Sequence, residues 1–572
     1  MATKSNRSLA RLEFAVRRAE EAGDMYAWLI GVQSLYQYAK KGEASSAELA
    51  ELRESLREHA ESFRAQFLSR VGRLWTAQIV EASFSELFTD ELSEEPVDLD
   101  RIFRMIEAVK ARMLLDQMSF GFKQLAEDQV QRETSALEQQ MLAFEEDEDH
   151  DSVRSEIRLT SRLPVIDRSQ ETDKTALLDQ IEQNYKSSEC GFAGAQVVTH
   201  LADVQAALGP REALIEYFVR AYRLHPAFDL YILVITAEQT KLIPVPLADL
   251  SATGLTGSLS VDGRQPLDSS ALGELVFQAR TAAQDGNDLR ADANLEVLHQ
   301  KLIQPVLEAG FQLSDFERWI IVPHSMLHPV PWMALKDAHG RRLIQDVALT
   351  FVPSASIWLR LLTPELPAPA SFLGLGNPTL PYANLPDLPE AEQELKDIVP
   401  NLKDLQTSTL TKGLATETAL RKQVAGKSIV HLATHGEFPE QDPLNFHKVL
   451  LSPTRLHDGR VNAEELRELD FHSAQLVVLS ICNGGIYRFG PGDEPYGIIS
   501  GLLTAGARNL IGTLWQIEDA KGRSFMVDFY THLLDCGPAE ALRRTACKLI
   551  NDGAALRDWA AFLVAGHGRP FE

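Results

Sequence analysis

Residues 429–436 read IVHLATHG, and residues 476–485 read LVVLSICNGG. Each is an apolar run of strand length that ends on a reactive side chain and then glycine: His435 before Gly436, and Cys482 before Gly484 and Gly485. Continuous apolar runs bounded by turn residues are expected of strands buried on both faces of a sheet. If the two strands are parallel neighbours, His435 and Cys482 project from one carboxyl edge, where α/β sheets form their sites.

The thiolate is the nucleophilic form of cysteine, and a neighbouring imidazole makes it available at neutral pH. The same histidine can protonate a departing amine. Glycine after each residue lets a substrate backbone come close, and the amides of Gly436 and Cys482 are candidate oxyanion donors. Taken singly, a cysteine or a histidine at a strand end reads as buried core. The matched pair turns the reading towards catalysis. His431 lies four residues before His435 and shares its strand face; it reads as a satisfied core or supporting histidine.

The same pattern continues outward. Strands are expected over 213–218, 230–236, 240–246, 319–322, 372–375 and 510–514, the second and third forming a hairpin. Helices are expected over 390–398, 416–423, 496–505, 522–534 and 538–550. Their alternation predicts an α/β fold with a mostly parallel sheet flanked by helices. Upstream, residues 47–68 and 101–118 carry helix-forming composition and helical spacing, so 1–145 is expected to be an all-α N-terminal region. No regular tetratricopeptide array of about 34 residues fits it, although one degenerate repeat-like helix pair does. The acidic run EEDEDHD at 145–151 reads as a solvated linker. The expected divisions are 1–145 helical, 146–210 linker and mixed segment, 211–370 a β-rich subdomain, and 371–572 the core carrying the reactive pair.

The chain has 572 residues, enough for several domains. Its formal net charge of −25 opposes nucleic acid and anionic lipid, so neither is an expected partner. Four cysteines, Cys190, Cys482, Cys536 and Cys547, are too few and too scattered for a disulfide framework or a zinc site. Residues 1–10 lack an apolar signal core, and no run is long enough to span a bilayer. A cytoplasmic setting is therefore expected. There is no G-x-S-x-G elbow, no phosphate loop and no HExxH, and no metal or organic cofactor is indicated.

Several blocks together resemble the CHAT domain family, which is related to caspases and separase. Residues 320–335, IIVPHSMLHPVPWMAL, resemble its VPDGxLHxLPFxAL segment. Residues 374–378 with 385–394, GLGNP and LPDLPEAEQE, resemble GNP followed by LPxLPGAxxE. HLATHGEF resembles HFATHG, LSICNGG resembles LSACNTG, LIGTLWQIED resembles VIASLWPVDD, and residues 559–566 resemble a WAxFxLxG close. Ile481 and Gly484 depart from the commoner alanine and threonine. His435 and Cys482 are 47 residues apart, which matches the spacing of about 50 in caspase-type enzymes. The run EAVKARMLLDQM also resembles the last helix of the tetratricopeptide-like region that often precedes CHAT domains.

The resemblance implies a caspase-like fold and a cysteine endopeptidase, with Cys482 as nucleophile and His435 as its proton-transfer partner, acting on a protein substrate. It implies activation by a regulatory partner or signal, received through the helical N-terminal region, and a setting in bacterial defence or regulated cell death. In separase-like members an acidic residue after the LW strand receives a basic P1 side chain. Asp519 is the positional match, with Glu518 beside it; the competing reading of Asp519 is a helix N-cap. Trp515 reads as a pocket wall or as core. Asp493 and Glu494, in the Gly-rich stretch 484–497, complete the candidate substrate-binding set; that stretch reads as an activation element or a flexible connection. A scaffold of the same fold without catalysis is the alternative.

Overall fold

A computed structural model describes residues 12–19, 21, 25–41, 46–65, 67–120, 122–123, 134, 136–138, 168–188, 191–192, 198–222, 225–247, 250, 271–382, 385–437, 448–482, 488–490 and 493–571. The chain divides into two compact units, Met1–Val198 and Thr199–Glu572. The acidic run at 145–151 lies outside the described residues.

The first unit is helical, as its composition predicts. Helices span Met25–Lys41, Ser46–Ala65, Arg70–Leu92, Leu99–Glu107, Arg112–Phe120 and Arg168–Ser187. The segment 101–118 is two helices rather than one continuous run, because Ala111 takes a left-handed backbone (φ 46°) between them. Arg64 and Arg73 both reach the buried carboxylate of Asp116, with Arg64 Nη1 2.9 Å from Oδ2. Burial pulls the Arg73 guanidinium down to about 10 despite that partner.

Among the described residues, the second unit is built on one sheet of thirteen strands. In chain order they are β1 (Glu212–Tyr222), β2 (His225–Thr236), β3 (Thr240–Val245), β4 (Arg318–Val322), β5 (Ala348–Phe351), β6 (Ser371–Pro378), β7 (Gln406–Lys412), β8 (Ile429–Glu437), β9 (Lys448–Leu450), β10 (Arg460–Val461), β11 (Leu476–Cys482), β12 (Asn509–Thr513) and β13 (Phe562–Gly566). Across the sheet the order is β7-β6-β8-β11-β12-β13-β5-β4-β1-β2-β3. The short pair β9-β10 joins the far end of β8 in antiparallel fashion. The run β7-β6-β8-β11-β12 is parallel throughout. The antiparallel strand β13 follows, then the parallel set β5, β4 and β1, and finally the expected hairpin β2-β3. This is the mostly parallel, helix-flanked sheet that the sequence predicts. The central strands β4, β5 and β12 are buried at every position, as expected of strands covered on both faces.

Two helices cover the sheet near the His435 strand: α1 (Pro389–Ile398) and α2 (Asp519–Asn551). The second merges the two helices expected at 522–534 and 538–550; Gly537, at φ 76° before Pro538, marks the break. Gly374 and Gly376 on β6 set how close α1 can lie. A Cβ on Gly376 would stand 2.8 Å from Leu395 Cδ1 and 3.0 Å from the Ala391 carbonyl oxygen. The helix is thereby drawn onto the strand, and its first residues come to the sheet's carboxyl edge. Arg523 ties α1 to α2, with Nε 2.8 Å from Asp397 Oδ2 and Nη1 2.8 Å from Glu390 Oε2.

Candidate active site

The two strands quoted at the outset are adjacent and parallel. Their register runs from Ile429 opposite Leu476 to His435 opposite Cys482. The two Cα positions are thus one strand spacing apart, about 4.8 Å. The strand does not end at His435: β8 continues, with Gly436 opposite Val449 and Glu437 opposite Lys448. Gly436 therefore sits inside a ladder rather than in a loop. Asn483, Gly484, Gly485 and Tyr487 lie outside the described residues.

His435 is half-buried. Its Nε2 lies 2.8 Å from the carbonyl oxygen of Pro386. A carbonyl only accepts, so Nε2 carries the proton and Nδ1 keeps its lone pair. Among the described residues it is a backbone carbonyl, not an acidic side chain, that orients this imidazole. Pro386 belongs to the LPDLP run just before α1. Sequence reading missed it, because a main-chain acceptor has no residue-type signature. The proline itself was the available hint, since its ring fixes the local backbone.

His431 is the satisfied core histidine expected from its strand face. Its Nε2 is 2.7 Å from Glu394 Oε1, and its Nδ1 is 3.1 Å from the Tyr530 hydroxyl. The carboxylate fixes Nε2–H as donor, and Nδ1 then accepts from the tyrosine. All three side chains are buried. Burial and the nearby Glu394 charge push the Tyr530 phenol well above its ordinary value, which keeps it a hydrogen-bond donor. The triad links β8 to α1 and α2 beneath the site.

A cleft of about 460 Å³ opens above these strand ends. Leu388, Ala391 and Glu394 form one wall, Thr434, Ser480 and Ile481 the floor, and Ile517 and Asp519 the far side. Asp519 is the first residue of α2, and the N-cap position belongs to Glu518, whose side chain makes no cap bond. Glu518 is exposed and does not line the cleft. Trp515 is 1% exposed, and its indole N–H donates to the Arg557 carbonyl at 3.1 Å. Asp493 and Glu494 are also buried. Asp493 accepts from the Ser325 amide at 2.8 Å, and its other oxygen is 2.9 Å from His328 Nε2. Of the five candidate substrate-binding residues, the structure brings only Asp519 to the cleft. The other buried ones are held by protein groups, a distinction that strand and helix patterning does not carry.

A second, apolar cavity of about 390 Å³ lies further along the same sheet edge, between Trp332, Phe351 and Phe562. The hairpin Arg488–Gly490 with Glu494–Tyr496 reaches it, Phe489 stacking on His328 with ring centres 3.3 Å apart. Among the described residues no group of three or more His, Cys, Asp or Glu side chains is placed to hold a metal ion. Among the same residues no helix is long and apolar enough to cross a membrane.

Residues 292–567 match the family model described as CHAT domain. This part of the chain is thus similar to CHAT domains. Its limits enclose the strands β4 to β13, and with them the His435–Cys482 pairing and the cleft. Tetratricopeptide repeat protein 28 of Mus musculus is 25% identical over 328 residues, 48% of this chain but only 13% of that protein. Among solved structures, the Saccharomyces cerevisiae separase–securin complex aligns with a TM-score of 0.40 at 12% identity, over 98% of this chain and 48% of that one. The Arg-specific cysteine proteinase gingipain R aligns with a TM-score of 0.34 at 10% identity, over 52% of this chain and 75% of that one.

Proposed function

We propose that the CHAT domain is a cysteine endopeptidase with Cys482 as nucleophile and His435 as its proton-transfer partner. The observation that carries the reading is the in-register pairing of His435 with Cys482, on a histidine whose Nε2–H is committed to the Pro386 carbonyl. Nδ1 is left to take the thiol proton. The thiolate attacks a peptide carbonyl; the C–N bond breaks as the imidazolium protonates the departing amine; water then hydrolyses the thioester. The Pro386 carbonyl stabilises the imidazolium by a charge-assisted hydrogen bond. The amides of Gly436 and Cys482 are the proposed oxyanion donors. Asp519, on the cleft wall, is the proposed acceptor of a basic P1 side chain, matching guanidinium by charge and planarity. The substrate is a protein, and a regulatory partner acting through the helical first unit, in a defence or cell-death setting, is part of the same proposal, as is a cytoplasmic location.

The test is N-terminal proteomics of cells expressing the chain against cells expressing Cys482→Ala. New protein N-termini, preceded by Arg or Lys and absent with the variant, are the expected result. Identical sets of termini from the two strains would contradict the reading and leave the fold as a scaffold.

A further inference from the structure

The Pro386 carbonyl can orient His435 only if the segment that carries it is itself held, and Asn377 gives that segment a buried anchor. Asn377, at the end of β6, is 1% exposed and has φ 48°. It is the extra residue of a bulge: Gly376 pairs with Thr411 and Pro378 with Lys412, so Asn377 has no partner across the ladder. Bulges re-aim a side chain, and asparagine is one of the few residues that enters the left-handed region readily. Here the bulge turns the Asn377 amide towards the start of α1, where Oδ1 accepts the Leu388 N–H at 2.9 Å. The Leu388 carbonyl in turn accepts from Ala391 N at 3.1 Å and opens the helix. Two residues back, the Pro386 carbonyl meets His435 Nε2. A further tie on this segment, Lys412 Nζ to Asp387 at 2.6 Å, is an exposed ion pair and holds it weakly.

We propose that Asn377 is a positioning residue for His435: it fixes the Pro386 carbonyl, and so keeps the proton on Nε2 and the lone pair on Nδ1. This rests on the reading of His435 as the partner of Cys482. It acts across three separate pieces of chain, from β6 through the Leu388 amide to β8.

Two substitutions separate the acceptor from the backbone. Asn377→Gly accommodates the positive φ and removes the acceptor; Asn377→Asp tolerates the same φ and keeps it. The readout is the ¹⁵N spectrum of histidine-labelled full chain, with the His435 signals assigned by difference from His435→Ala. It is paired with the pH profile of Cys482 alkylation by iodoacetamide. The wild type and Asn377→Asp are expected to show the Nε2–H tautomer. Asn377→Gly is expected to show mixed tautomers and a Cys482 alkylation rate at neutral pH lower by roughly tenfold, the scale at which orienting partners act on functional histidines. An unchanged tautomer in Asn377→Gly, or equal changes in both variants, overturns the proposal. Hydrogen exchange at the Leu388 amide in the wild type gives a variant-free check: protection is expected, and exchange at a free-loop rate overturns it. A tautomer shift in a chain that cleaves nothing would uphold Asn377 and sink the peptidase reading; full cleavage by Asn377→Gly would do the reverse.

Discussion

On a peptide taken from a mapped cleavage site, Cys482→Ala and His435→Ala should each lower kcat by about 10⁴-fold or more, and the double variant should be little worse than either alone. Nucleophile and base act as one unit: a thiol without its base is mostly protonated, and a base without its nucleophile has nothing to activate. Grossly non-additive losses of about 10⁴ to 10⁶ are the signature of such units. The register makes the case specific, since His435 and Cys482 are direct neighbours across β8 and β11. His431→Gln separates position from identity. His431 faces Glu394 and Tyr530 rather than solvent, so its loss should act mainly through stability, lowering Tm more than kcat. Steady-state kinetics with these four variants decides it. Losses that multiply in the double variant would mean that the two residues act separately.

The second large effect is on stability in acid. His567, just past β13, is held neutral: burial first, then the Arg569, Arg318 and Arg508 charges, bring its imidazole down to about 3, and Glu212 offsets them only in part. The geometry agrees, since the Arg569 amide donates to Nδ1 at 3.0 Å and an imidazolium would have no lone pair left to accept it. The folded value is depressed below the ordinary value of 6.5. The unfolded chain therefore binds the proton more readily, and the stabilisation is complete above about pH 6.5 and is lost as pH falls towards 3. His567 keeps some contact with solvent, so the loss should be on the order of 3 kcal/mol by pH 4, less than the full shift would give. His567→Asn retains an acceptor and cannot titrate. Thermal unfolding from pH 7 to pH 4 should show the wild type losing Tm more steeply than His567→Asn. Parallel curves would rule out His567 as the titrating group.

The parts of the fold legible in the sequence are those where burial is complete. β8 and β11 announce themselves as apolar runs, and the GLGNP and LPDLP blocks mark the strand end and the helix start that flank the site. β7 was missed because Gln406–Lys412 reads QTSTLTK: it is an outer strand whose residues are exposed or half-buried, so no apolar run signals it. β5 has only four residues, too few for a pattern. The break at Ala111 was missed because nothing there is glycine or proline. In the site, the neighbouring strand ends that carry His435 and Cys482 were legible because each apolar run ends on a distinctive residue type. The Pro386 carbonyl and the Asn377 anchor were not, because hydrogen bonds to the main chain depend on register and bulge geometry. For the same reason Asp493 read as a candidate for substrate, whereas it is buried, with one oxygen accepting from the Ser325 amide and the other beside His328.

The central claim is that His435 activates Cys482, and thiol labelling tests it without knowledge of the substrate. The full chain is treated at neutral pH with a peptidyl acyloxymethyl ketone bearing arginine at P1, and modified cysteines are counted by mass spectrometry. Burial pushes the Cys536 and Cys547 thiols up, so these are poor competitors. Modification at Cys482 in preference to Cys190, Cys536 and Cys547, and its loss in His435→Ala, is the expected result. Equal labelling of Cys482 with and without His435 would contradict it.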